Sequence, residues 1–113
     1  DGTCRSYNCK YEVNYERGCP TLYNDEEFTR FVADTLNKYK IENTEVFDNG
    51  IMTFLEDFSY YAQKVPCCYI SVGAMVKDRE VYQHHHPKFD ISEDAMLICA
   101  NVMATLTLEY LES

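Results

Sequence analysis

The chain reads as an α/β protein in which helices cover a sheet. Three observations predict it. Residues 7–16 alternate without a fault, with Tyr7, Cys9, Tyr11, Val13 and Tyr15 on one side and Asn8, Lys10, Glu12, Asn14 and Glu16 on the other. That two-residue period belongs to a half-buried strand. Residues 28–39 instead repeat apolar side chains at three- and four-residue steps, the stripe of an amphipathic helix. Residues 67–73 form a compact, mostly apolar run of the length a buried strand requires.

Taken in order, Gly18-Cys19-Pro20 interrupts the first strand pattern and marks a boundary. Asn24 with Glu27 is spaced as a variant capping box, and Tyr23 with Phe28 as the hydrophobic staple over the same helix start. The stripe Phe28, Phe31, Val32, Thr35, Leu36 and Tyr39 leaves Asp25, Glu26, Arg30, Asp34, Asn37 and Lys38 for water, so its aromatics read as core. Residues 43–47 suit a short strand, and Asp48-Asn49-Gly50 is turn chemistry. A short helix is expected over residues 56–64, acidic at its start and closed by Lys64 as a helix dipole prefers, with Val65-Pro66 ending it. Residues 76–90 make a polar loop. Ser92 can cap a last helix, stapled by Ile91 and Met96. Between residues 95 and 111 only Asn101, Thr105, Thr107 and Glu109 are polar, so that helix must be packed on more than one side. The short elements available here supply too little cover for it, which points to further sequence or a partner chain.

Composition sets outer limits. With 113 residues, 46% hydrophobic and 26% charged, the chain has the make-up of one globular domain burying roughly two thirds of its unfolded surface. Nineteen acidic residues against ten basic ones give a net charge of −9, which opposes nucleic acid and anionic membrane as partners. No apolar run reaches the length needed to cross a bilayer and no secretion signal opens the chain, so a soluble, cytoplasmic protein is expected. The start at Asp1-Gly2-Thr3 without methionine suggests a piece of a longer polypeptide. Of the six cysteines, Cys67 and Cys68 are adjacent and would face opposite ways on a strand, unable to pair without strain. No Cys-x-x-Cys knuckle occurs, and buried reduced thiols fit the pattern better than a disulfide framework.

All three histidines sit together in His84-His85-His86-Pro87. Neutral imidazole is the commonest protein metal ligand, and a proline can hold a loop that presents one. Against this stands a plain solvated loop, because one short cluster supplies few of the ligands a catalytic metal requires.

Glu56-Asp57-Phe58-Ser59-Tyr60-Tyr61, Val65-Pro66, Gly73, His85-His86-Pro87-Lys88-Phe89-Asp90-Ile91 and Glu93-Asp94-Ala95 occur in that order. Together with the Tyr110-Leu111 helix end, the series resembles the C-terminus of the hippurate hydrolase and indole-acetyl-amino-acid hydrolase family. These are metal-dependent N-acyl-amino-acid amidohydrolases of the aminoacylase and carboxypeptidase clan. The likeness spans essentially the whole chain. It implies an α/β catalytic domain split by an inserted α+β lid that dimerises the enzyme, with residues 1–19 as the last strand of the lid and 20–113 as the C-terminal segment of the catalytic domain.

By the same resemblance two divalent ions serve the complete enzyme, zinc foremost, with manganese, cobalt or nickel as alternatives. His85, two positions before Pro87, would ligate the second ion. His84 and His86 receive no role, and Asp90 reads as a helix-start carboxylate. Glu56 and Asp57 would lie on a loop near the substrate pocket, orienting polar groups rather than moving protons. The remaining ligands and the general base would lie upstream. The implied substrate is a small N-acyl-amino acid or peptide, the implied assembly a homodimer, and the 113 residues alone are expected to be inactive. Thr53-Phe54-Leu55 replaces small residues of most relatives, and Cys67 a usual glycine, which leaves the acyl group and the amino acid open. The competing reading is a non-catalytic acidic α/β interaction module without a metal site, any dimer arising from an exposed edge strand around residues 7–15.

Overall fold

A computed structural model describes residues 2–113. Four helices occur among them: α1 (Gly2–Ser6), α2 (Glu26–Tyr39), α3 (Ser59–Ala62) and α4 (Asp94–Glu112). The amphipathic stripe does what its spacing predicts in α2 up to Leu36, whereas Tyr39, read as core, is 50% exposed. Asp25, in extended conformation, accepts a hydrogen bond from the Phe28 amide at 2.8 Å, satisfying one of the donors that a helix start leaves open. Glu26 and Glu27 follow in the first turn and Lys38 stands in the last, matching the helix dipole. Lys40 ends the helix in the left-handed region at φ 47°, its amide returning to the Leu36 carbonyl at 3.0 Å.

Among the described helices only α2 and α4 pack on each other. Their seam buries Val32 and Leu36 against Val102 and Leu106, with Phe28, Phe31, Ile41, Cys68, Ile70 and Ile98 partly covered around them. Tyr110 meets the rings of Phe28 and Phe31 edge-on at 5.8 and 5.9 Å. Glu109 closes the seam, accepting from Lys38 Nζ and from Tyr39 Oη at 2.7 Å each.

The expected sheet is not found. Residues 7–16, 43–47 and 67–73 take part in no β-ladder, and no strand occurs among the described residues. This corrects the α/β class, including the sheet of the catalytic segment and the lid strand before it. The reason is physical: alternation decides which side chains share a face, but a strand exists only through hydrogen bonds to a neighbour. Residues 7–16 have no such neighbour here, and Tyr7, Val13 and Tyr15 stay 78%, 73% and 79% exposed.

The run from Cys67 keeps part of its predicted character. Cys67 is buried, Cys68 and Ile70 lean on the helical seam, and exposure alternates from Ser71 to Val76. Side chains and loop amides occupy its backbone where a strand would: Asn24 pairs with both backbone groups of Tyr69, the Asp25 amide donates to the Cys67 carbonyl at 2.9 Å, and the Ser92 amide to the Ala74 carbonyl at 2.9 Å. Two capping expectations change accordingly. Asp25, not Asn24, caps α2, and α4 begins after Glu93 with no side-chain cap. The short helix expected over 56–64 is confined to α3, and α1 has no counterpart in the sequence reading.

The expectation of one compact domain also fails. The chain extends over 65 × 40 × 18 Å with a radius of gyration of 20.3 Å, against about 13 Å for a compact domain of this length. Its accessible surface of 10367 Å² compares with about 6,400 Å² for a folded monomer of this mass. Much of the surplus is apolar. On α4, Met96, Leu97, Met103, Leu108 and Leu111 are exposed, as the shortage of covering elements predicts. At 19 residues α4 is also long and apolar enough, by length and composition, to cross a membrane, contrary to the sequence reading. All six cysteines are free, but only Cys67 is buried; Cys9 and Cys99 are exposed.

Candidate functional site

Glu56 sits in the turn that leads into α3, where the Ser59 amide donates to the Glu56 carbonyl at 3.2 Å and the Tyr60 amide to the Asp57 carbonyl at 3.0 Å. The turn brings the Phe58 amide to 3.3 Å from one oxygen of the Glu56 carboxylate. Its other oxygen accepts from Tyr69 Oη at 3.0 Å. Phe58 and Phe54 pack their rings at 5.6 and 6.5 Å from that of Tyr69. The Phe58 amide foremost, then Asp57 and Tyr69, hold Glu56 below its ordinary value of 4.5. Burial and the hydrogen bond to Glu56 push the Tyr69 phenol above 10.0. A carboxylate held ionised this way is an acceptor for N–H or O–H groups, and a poor carrier of a proton at neutral pH. Asp57 lies exposed beside it.

His85 stands at the corner of a tight turn. The His86 amide donates to the Gln83 carbonyl at 3.1 Å, and His85 takes φ 67° in the third position, as a type II turn demands. Glycine normally fills that position, and a β-carbon there costs about 1 kcal/mol. The two flanking histidines are engaged. His84 lies 5.0 Å from the Phe89 ring, and His86 stacks on Tyr82 at 4.5 Å while its Nδ1 accepts from the Lys88 amide at 3.1 Å. Arg79 pairs with Asp90 at 2.8 Å across the base of the loop. The His85 ring is exposed and takes part in no hydrogen bond or ring contact among the described residues.

Each half of the expected site is therefore formed locally. No hydrogen bond or ion pair joins the Glu56 cluster to the histidine turn among the described residues. Nor does any group of three metal-ligating side chains exist there. His85 thus fits one ligand position and no more. Open clefts of about 230 Å³, beside Tyr23, Asp25 and Lys64, and about 380 Å³, beside Arg79 and Asp90, both leave out Glu56, Asp57 and His85. Tyr69 escaped the sequence reading. Nothing in the run around it distinguishes its hydroxyl, and the partner lies 13 positions away.

The model of peptidase family M20/M25/M40 matches residues 2–109. The chain belongs to that family. Among M20 relatives, a Bacillus subtilis (strain 168) protein named as an amidohydrolase, YhaA, is 39% identical over 114 residues, which cover 96% of this chain and 28% of YhaA. The N-acetyl-L-cysteine deacetylase of the same organism is 34% identical over 92 residues, 81% of this chain and 20% of that protein. A crystal structure of a protein described as an aminohydrolase from methicillin-resistant Staphylococcus aureus superposes with a TM-score of 0.85 at 40% identity, over 97% of this chain and 28% of that one. The chain thus spans between a fifth and little more than a quarter of the length of these M20 proteins.

Proposed function

We propose that the protein carrying this chain is a metal-dependent M20 hydrolase that cleaves the amide joining an acyl group to an amino acid or short peptide. The observation that carries this reading is the family match over nearly the whole chain, supported by relatives named for such reactions, an amidohydrolase, a deacetylase and a carboxypeptidase. Residues 1–19 belong to a lid and dimerisation domain and 20–113 to the C-terminal segment of the catalytic domain. The enzyme works as a cytoplasmic homodimer.

His85 offers its lone pair to one of two divalent ions, zinc foremost, shared with ligands from elsewhere in the protein. Bound divalent metal supplies Lewis-acid polarisation of a scissile carbonyl. Glu56 and Asp57 accept hydrogen bonds from the polar groups of the substrate and hold it in place. The general base lies outside these residues, and the 113-residue chain by itself has no amidase activity.

His85→Ala in the intact protein tests this. Metal content should fall by one equivalent, and hydrolysis of an N-acyl-amino acid by more than about 100-fold, beyond the loss typical of a group that merely supports a ligand. Unchanged metal content and activity would remove His85 from the site.

A further inference from the structure

Glu56 belongs to a loop, yet its carboxylate is fixed through a chain of contacts that ends on the amphipathic helix α2. The Asn24 side chain, one residue before the cap of α2, accepts from the Tyr69 amide at 2.8 Å and donates to the Tyr69 carbonyl at 3.2 Å. That single amide takes both backbone groups of Tyr69, as a neighbouring strand would. The ring packs against those of Phe58 and Phe54 at 5.6 and 6.5 Å. Its hydroxyl ends 3.0 Å from Glu56 Oε2, while Oε1 takes the Phe58 amide. Both oxygens thus have a partner, one from the same turn and one, the Tyr69 hydroxyl, positioned from outside it.

We propose that Tyr69 is a positioning residue of the Glu56–Asp57 loop, its hydroxyl fixing the Glu56 carboxylate so that the loop meets a bound amide substrate in one orientation. The inference rests on the reading of residues 56 and 57 as substrate-holding groups. It gives a role to the phenol in a run that is mostly apolar. It also gives Phe54 a part, as a ring packed 6.5 Å from that of Tyr69. The Phe58 amide foremost, then Asp57 and Tyr69, lower the value of Glu56, and the Tyr69 share agrees with the geometry, since a donor held against a carboxylate favours its charged form.

Tyr69→Phe in the intact protein keeps the ring and removes only the donor. The carbon-detected NMR titration of the Glu56 carboxyl should move upward, and KM for an N-acyl-amino acid should rise about tenfold with kcat changed less than about twofold. Tenfold matches the loss of one hydrogen bond to a charged group, here the one that orients Glu56, and KM rising with kcat kept is the sign of weakened binding. An unmoved Glu56 titration overturns the proposal, and so does a moved titration with KM unaltered while Asp57→Asn raises KM. Glu56→Gln and Asp57→Asn that both leave KM unchanged would instead dispose of the substrate-holding reading, a result the Tyr69→Phe titration does not share.

Discussion

Helices α2 and α4 lie side by side and share one seam, yet they solve different problems. Helix α2 is amphipathic, capped by Asp25, closed at Lys40, and turns its polar face to water. Helix α4 is apolar around most of its circumference, lacks a side-chain cap, and buries only Ala95, Val102 and Leu106. A helix of the first kind is complete with one neighbour; one of the second kind needs cover on several sides. The difference shows that α4 carries more apolar surface than α2 covers. The accessible surface of the whole chain is likewise more than half again what a folded monomer of this mass exposes.

The sharpest way to break this comparison is to truncate matched apolar side chains on the two helices. Leu36→Ala removes a buried side chain from the seam and should cost about 2–4 kcal/mol in urea unfolding followed by circular dichroism. Met103→Ala, on the uncovered face of α4, should cost less than about 0.5 kcal/mol in the same chain. In the intact protein the Met103→Ala cost should climb toward that of Leu36→Ala if its α4 face is covered there. Equal costs in the 113-residue chain would mean that the α4 face is already buried.

The caps give a second, smaller contrast. Asp25→Ala strips the Phe28 amide of its acceptor and should destabilise by about 1 kcal/mol. Glu93→Ala before α4 loses no cap hydrogen bond and should change stability by a few tenths of a kcal/mol at most.

How far each helix was legible in the sequence follows the same division. The stripe from Phe28 to Tyr39 names a helix and its buried face because both are local properties, repeated every three or four residues. The apolar run after residue 94 names a helix and correctly demands more cover than is present, but it cannot say what supplies it. The strands failed for a related reason. Alternation in residues 7–16 is real, yet pairing is a relation between segments, and no partner segment stands beside it here. Asn24 and Asp25 are both capping residue types one position apart, so local chemistry alone could not show that Asp25 takes the helix while Asn24 reaches Tyr69, 45 positions on. In the candidate site, Glu56, Asp57 and His85 were legible as a motif. The turn that forces His85 to positive φ, the aromatic anchors of His84 and His86, and the Tyr69 hydroxyl were not, since each depends on a contact that only folding creates.

A third contrast concerns buried polar groups. Ser59 at the start of α3 is fully buried and its Oγ has no hydrogen-bond partner. Ser59→Ala should therefore be neutral or stabilise this chain by up to about 1 kcal/mol, because an orphaned hydroxyl costs more than it contributes. A loss of stability in thermal unfolding would show that the hydroxyl is in fact paired.

The smallest expected effect lies where the two helices meet water together. The hydrogen bonds from Lys38 and then Tyr39 hold Glu109 below its ordinary value of 4.5, so what this group contributes to folding is present above that value and is lost as pH falls through the lowered one. Its hydrogen bond raises Lys38 above 10.5 and Tyr39 above 10.0, so their share is present at neutral pH and is lost only as alkaline pH passes the raised values. Between those limits the clamp should add a constant increment, small because Lys38 is well exposed and the pair is screened by salt. The urea midpoint of Glu109→Gln, measured beside the parent from pH 7 down to 3, should sit slightly lower at pH 7 and converge with it under acid. If the two curves stay parallel, the charge on Glu109 does nothing for the seam, and α2 and α4 are held together by their apolar contacts alone.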